Sequence, residues 1–345
     1  MRKIVRLIVA AIFYYSGLVA LGRWWMRQQS PHLIILNYHR SSLGDIRQHM
    51  RYLQRHYRLL PLEEALQELY AEPTQKNHLR TPVVMTFDDG YRDNFQYAFK
   101  AAVELQVPIT IFLIPGYIDS GERFWWGEGR YLVAQTSMKE ITFDNLIYHL
   151  QSTEDQRRLA VVIDTRLRTA SSVVEREQFL AKMRQTLAIS EFDSCLLGAE
   201  YDNMPLSWLD VYEMQKSGFV SFGAHTMHHP VLSSLVDPVE VHYEIAQCRE
   251  VLEKQLGQKV YTFAYPLGRT EHIGSEALKG VRAAEYKWAV TTTSGIATPQ
   301  SDPYRIERVL VDVQRHWLLI AAETAGIWHM FAPLWRPFTH GKEYA

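Results

Sequence analysis

Cysteine is nearly absent from this chain. Its two cysteines, Cys195 and Cys248, stand far apart, so no CxxC spacing is available for a structural zinc or a redox pair. They read as buried thiols or as one disulfide and do not fix the redox compartment. An excess of positive charge is also missing, with 37 Lys and Arg against 38 Asp and Glu, for a net charge of −1. Without a basic block to neutralise phosphates, nucleic acid drops out as a partner. What remains is 345 residues, 47% hydrophobic and 22% charged. That suits one barrel-sized domain with appendages better than two average domains.

The one long uncharged run lies at the N-terminus. Leu7 to Gly22 follows Arg2, Lys3 and Arg6 and is closed by Arg23, Trp24, Trp25 and Arg27. It is shorter than the ~20 residues a helix needs to span a bilayer. Three readings stand: an uncleaved membrane anchor, a signal peptide without a clear small-x-small site, or a helix lying in the interface or packing on the domain. Residues 1–29 are set apart as an anchor or signal-like segment. It would place the protein at a membrane, in the cell envelope, with the side of the membrane left open. On that reading a chain starting near Gln29 folds and binds metal by itself. Residues 313–345 form an aromatic-rich helical tail with Trp317, Trp328 and Trp335.

Between these ends, short β-branched runs alternate with helical periodicity. Strand, helix and strand follow one another from Thr81 through Ile114 in the manner of a βαβ unit, which makes the sheet parallel. At least six such strands can be counted in residues 30–312. Residues of about 121–206 interrupt them with amphipathic, charge-rich helices and read as a helical insertion. Within it Phe124, Trp125 and Trp126 read as core aromatics, with stacking on a sugar as the sharper alternative.

Three polar clusters sit directly after strands. Thr81–Phe87 ends on Asp88-Asp89-Gly90, and two carboxylates at a buried strand end need a cation or a job. Phe219–Ala224 runs into His225-Thr-Met-His-His-Pro230, where His225 and His229 can reach one ion, and His228 is the spare. The run at His32–Leu36 ends on Asn37-Tyr38-His39-Arg40. The C-terminal rim of a parallel barrel is where such groups build a site.

The ordered motifs Thr-Phe-Asp-Asp-Gly, His-Thr-x-x-His-Pro and Phe-x-Tyr-Pro-x-Gly resemble those of the polysaccharide deacetylases, the chitin deacetylase-like enzymes of carbohydrate esterase family four. The likeness covers roughly residues 32–119 and 207–312. It implies a distorted (β/α) barrel of about seven parallel strands and a divalent metal, usually zinc. Asp89, His225 and His229 would hold the metal. Asp88 would be the base toward a metal-bound water, and His39, from the first strand, the acid. The Leu267 amide would help hold the oxyanion. Many members have an arginine where this chain has Ala264, and Arg308 is the replacement the sequence offers. The implied reaction removes N-acetyl groups from an amino-sugar glycan. Alternatives are a metal-dependent amidase acting on a lipid-linked sugar or non-sugar amide, and an inactive saccharide-binding protein.

Overall fold

In a computed structural model the described residues are 2–29, 31–71, 80–189 and 202–330. Ten strands are found among them: β1 (Ile34–Tyr38), β2 (Arg58–Leu59), β3 (Pro82–Phe87), β4 (Ile109–Leu113), β5 (Glu140–Phe143), β6 (Leu146–His149), β7 (Val220–Ala224), β8 (Thr262–Ala264), β9 (Trp288–Ser294) and β10 (Ile306–Leu310). Seven close a parallel ring in the order β1-β10-β9-β8-β7-β4-β3 and back to β1. Short β2 pairs with the first residues of β3, whose last residues pair with β4. The expected (β/α) barrel is therefore what the chain forms, with one short added strand, β2, that the sequence reading does not count.

Alternation along each strand sorts side chains between two cores. Ile34, Leu36, Val83, Met85, Ile109, Ile111 and Val309 belong to the large cluster that the surrounding helices cover. Leu33, Ile35, Val84, Phe112, Ala264, Val290 and Ile306 form another cluster, joined by Leu62, Leu66 and Leu69 of helix Leu62–Tyr70. We take this second cluster as the barrel interior, with that helix plugging the end where the strands begin. Carrying the alternation forward puts Thr86, Asp88, Arg308 and His225 on the interior side as each strand reaches the rim.

The insertion has its own core, built on Leu132, Ile163, Leu180 and Met183 with Phe124 and Trp125. Helices Thr153–Arg168 and Val173–Thr186 start where Ser152 and Ser172 accept from the backbone amides of Asp155 and Glu175, which satisfies first-turn donors. The insertion is not wholly helical. Strands β5 and β6 pair as an antiparallel hairpin, with Asp144 and Asn145 both left-handed at its turn, the geometry a two-residue hairpin loop favours.

The N-terminal run forms two helices, Arg2–Tyr15 and Leu18–Arg27, bent by 73°. Among the described residues no single helix is long and apolar enough to cross a membrane. Their inner faces pack on the C-terminal helices Trp317–Thr324 and Ile327–Met330. Ala10 and Val19 are buried in the main core, and Tyr14 meets Trp317 edge-on at 4.9 Å. A Cβ on Gly22 would lie 2.8 Å from the Ala325 carbonyl oxygen, so this helix crossing tolerates no side chain there. The expected Trp335 falls outside the described residues, as does Cys195. Cys248 is buried, its thiol 3.9 Å from the Leu113 carbonyl.

This packing bears on the shortened chain expected to fold by itself. Removing residues 1–29 is expected to leave Asp89, His225 and His229 assembled but to uncover Trp317, Tyr52 and Ala325. Loss of two fully buried aliphatic contacts costs on the order of 3 kcal/mol, so the thermal midpoint should fall by several degrees. An unchanged midpoint in a calorimetric scan would show that the helix pair does not support the barrel.

Candidate metal centre and active site

The chain turns sharply where β3 ends. Asp89 and Gly90 are both left-handed, with φ of 71° and 67°, a conformation that costs glycine little and aspartate more. This double turn lets Asp88 and Asp89 serve one mouth instead of alternating across the sheet. Asp88, 1% exposed, is gripped by Arg308 in a two-pronged pair, Nη1 to Oδ1 at 2.8 Å and Nη2 to Oδ2 at 2.7 Å. Arg308 is fully buried and is itself fixed by donating to the Thr291 carbonyl and to Thr86 Oγ1. Burial alone would push the Asp88 carboxyl up. The guanidinium's charge and hydrogen bonds outweigh it, helped by His225 and His39, and hold the group well below the usual carboxylate range.

Asp89, His225 and His229 offer ligand atoms that all lie within 4.8 Å of one another. Asp89 Oδ1 is 3.3 Å from His225 Nε2 and 3.4 Å from His229 Nε2. His225 Nδ1 lies 2.7 Å from the Ala264 carbonyl oxygen at the end of β8, which turns Nε2 toward the aspartate. This is the outer hydrogen bond a metal-ligating imidazole ordinarily makes. Thr226 and His229 are left-handed, φ 63° and 52°, and Thr226 Oγ1 accepts from the His229 amide at 2.9 Å. That tight loop folds the two histidines back over one carboxylate. The two imidazoles behave differently without an ion. Burial works against a charged His225, but the Asp89 hydrogen bond and the nearby carboxylates prevail and raise it. Burial, then His225, brings His229 down to about 3, leaving it neutral. One carboxylate and two imidazoles make a set of donors that suits a divalent cation, and an ion bound there displaces any proton the imidazoles hold.

His39 follows β1, its side chain 40% exposed and its Nε2 4.0 Å from Asp88 Oδ2, so it meets both solvent and the buried carboxylate. Leu267 lies in the turn after β8 with φ of 57°, held by Thr292 Oγ1 donating to its carbonyl at 2.6 Å. The structure thus brings Asp88, Asp89, His225, His229, His39 and Arg308 to one rim, with the Leu267 turn on that same end. His228 turns away from the triad. Glu244, 1% exposed, accepts from its amide at 2.8 Å and lies 2.6 Å from its Nδ1.

Several residues of this neighbourhood escaped the sequence reading. Asp93, fully buried, accepts from Arg40 Nε at 2.7 Å, from the amides of Ser41 and Ser42 and from Ser42 Oγ. It thereby ties the loop carrying His39 to the one carrying the carboxylates. The Arg40 guanidinium also lies 4.6 Å over the Tyr91 ring and donates to Asn203. Trp125, expected to fill a core, does so at 2% exposure, and its Nε1 also donates to the His229 carbonyl at 2.9 Å. The Trp126 ring lies 4.4 Å from that of His229 and its Nε1 donates to Tyr91. The insertion therefore supplies an aromatic wall to the site.

The comparisons with known proteins agree with this geometry. A family profile described as polysaccharide deacetylase matches residues 75–289. The Bacillus subtilis (strain 168) protein YxkH, named for polysaccharide deacetylation, is 24% identical over 299 residues, 83% of this chain and 74% of its own length. Among solved structures, the Streptococcus pyogenes deacetylase PplD in complex with acetate aligns with a TM-score of 0.55 at 17% identity, covering 85% of this chain and 97% of its own. IcaB from Ammonifex degensii aligns with a TM-score of 0.52 at 19% identity over 85% and 97%. At such identities the structural likeness speaks for the barrel alone. The profile, spanning more than half of the chain and including both the Asp-Asp-Gly and the His-rich motif, goes further: this protein belongs to the polysaccharide deacetylase family and is a hydrolase of amide carbon–nitrogen bonds.

Proposed function

We propose that the chain removes N-acetyl groups from an amino-sugar polymer by hydrolysis, with zinc at Asp89, His225 and His229. The observation that carries this reading is a three-donor set beside a carboxylate that Arg308 keeps ionised and aimed. Two imidazoles with one carboxylate are a donor set that zinc favours, with a coordination position left over for chemistry. PplD was solved with acetate, the acid that cleavage of an N-acetyl group releases, which supports the acyl group named here.

Asp88 accepts the proton of the attacking water, its two oxygens held still by Arg308, so little reorientation precedes transfer. A carboxylate held this acidic is a weak base, and a bound divalent metal supplies what it lacks by acidifying water and polarising the amide carbonyl. The Leu267 amide serves as a donor to the oxyanion that develops. His39 protonates the departing amine, which its exposure on the rim allows. Trp126 and Tyr91 line one side and exclude water from it. Residues 1–29 make membrane contact, which places the enzyme in the cell envelope.

The test is direct. Full-length protein loaded with zinc should release acetate from acetylated chito-oligomers, with a mass loss of one acetyl group per event. Release of acetate from N-acetylated non-sugar amides but from no glycan would overturn the substrate class while leaving the hydrolase intact.

A further inference from the structure

The barrel end opposite the metal-binding triad carries a concentration of positive charge that the reaction does not use. Arg23, Arg27, Arg55, Arg80 and His56 line one cavity of about 230 Å³ together with Tyr57 and Thr81. No carboxylate lines it among the described residues. Guanidiniums gathered around one partly enclosed space favour an anion among them. Their positions are braced: Arg23 donates to the Tyr52 hydroxyl at 3.0 Å and Arg80 to the Gln54 carbonyl at 3.2 Å. His56 Nε2 is buried there without a hydrogen-bond partner. Burial first, then Arg23, Arg55 and Arg80, bring His56 down to about 4. The space exceeds what one or two waters fill, and guanidinium forks suit a tetrahedral oxyanion.

Two neighbours of the cavity indicate where that oxyanion comes from. An aromatic groove of about 250 Å³, lined by Tyr14, Tyr52 and Trp317, shares Arg55 and His56 with it. Helix Leu18–Arg27, which supplies Arg23 and Arg27, also exposes Trp24 and Trp25 at 51% and 43%. Before it, Ile4, Ile8, Ile12 and Tyr15 form an exposed apolar ridge at helical spacing, the face opposite the one packed on the barrel. Charge for a headgroup, tryptophan for the interface and an apolar ridge for the acyl boundary lie side by side.

We propose that this end of the barrel seats on an anionic bilayer, with the phosphate of a phospholipid headgroup held among Arg23, Arg27, Arg55 and Arg80. The site deepens the membrane contact assigned above to residues 1–29 and is independent of the deacetylation reading. Such seating also fixes where the substrate lies. Thr81, on the cavity wall, precedes β3, and Asp88 follows it. Six strand residues at ~3.3 Å each set the metal centre about 20 Å farther from the bilayer. The active site then opens away from the lipid surface and serves a polymer standing off the membrane.

The experiment compares full-length protein on vesicles of phosphatidylcholine alone and of phosphatidylcholine with phosphatidylglycerol, by co-sedimentation. The expected result is clear preference for the anionic vesicles. An Arg55→Gln, Arg80→Gln variant should lose about 30-fold in that binding, two charges being removed near the surface, with its thermal midpoint and its rate on soluble acetylated oligomers unchanged. Equal binding to both vesicles, or wild-type binding by the variant, overturns the phosphate site and leaves only an apolar contact. No binding to either vesicle overturns the membrane contact as well. Calorimetric binding of inorganic phosphate alone, lost in the variant, together with no vesicle preference, would assign the cavity to free phosphate and overturn the lipid source.

Discussion

Asp88→Asn is expected to lower kcat by about 10²–10⁴-fold, the usual cost of removing a general base, while zinc content stays near one per chain. The structure adds a second effect that a surface base would not show. Arg308 is fully buried and spends both terminal nitrogens on Asp88. An amide in that place leaves a buried guanidinium without its counter-charge, a loss of about 3–5 kcal/mol. The thermal midpoint should therefore fall by roughly 10 °C, and activity must be read well below it. A double variant, Asp88→Asn with Arg308→Met, separates the two effects. Removing both charges from the interior restores much of the stability, because a buried pair and an apolar replacement of similar volume differ little. It should restore none of the activity. If the double variant recovers turnover along with stability, Asp88 is an anchor for the fold and the proton acceptor lies elsewhere.

That pair also marks how far the sequence could be read. Each strand end is locally encoded: β-branched runs halt at Asp88, His225 and His39, and alternation puts the polar residue at the end of the run on the interior side. The candidate donors Asp89, His225 and His229 were therefore legible from short motifs. Arg308 was reached only through the family likeness, as a substitute for the arginine missing at Ala264, because its partner lies 220 residues away. Asp93 and Glu244 had no such guide. A buried carboxylate that accepts from Arg40 and the Ser41 and Ser42 amides looks in sequence like any surface aspartate, since its partners come from another loop. The hairpin β5–β6 was lost for a different reason. β5 alternates over only four residues, β6 sets Leu146 and Ile147 side by side and exposed, and charged helices on both sides dominated the pattern. At the N-terminus composition was informative about apolarity and silent about the bend. Only packing distinguishes the face on Trp317 from the ridge of Ile4, Ile8 and Ile12.

Replacing His225 and His229 together with alanine should abolish bound zinc and bring hydrolysis to background. Asp89 alone then offers one ligand, and the Ala264 carbonyl has nothing left to orient. Because an ion that binds only the folded chain stabilises it by RT ln(1 + [L]/Kd), wild-type protein at zinc 1,000-fold above its Kd gains about 4.1 kcal/mol. Its thermal midpoint should rise with added zinc and fall on chelation, whereas the double variant should show neither response. The barrel itself should survive, since both histidines lie on the loop after β7 and contribute little to either core. Removing them also takes from buried Asp89 the His225 hydrogen bond that holds its carboxyl down, so the zinc-free variant should be less stable than chelated wild type by about 1–3 kcal/mol. Asp89→Asn tests the adjacent carboxylate in the same assay. It should weaken zinc binding and shrink the zinc-dependent rise in midpoint, while Asp88→Asn keeps that rise in full. The reverse pattern would exchange the roles of the two aspartates. Stoichiometric zinc in the double alanine variant would place the ion outside the triad, and the roles proposed for Asp88 as base and His39 as acid beside it would fall with it.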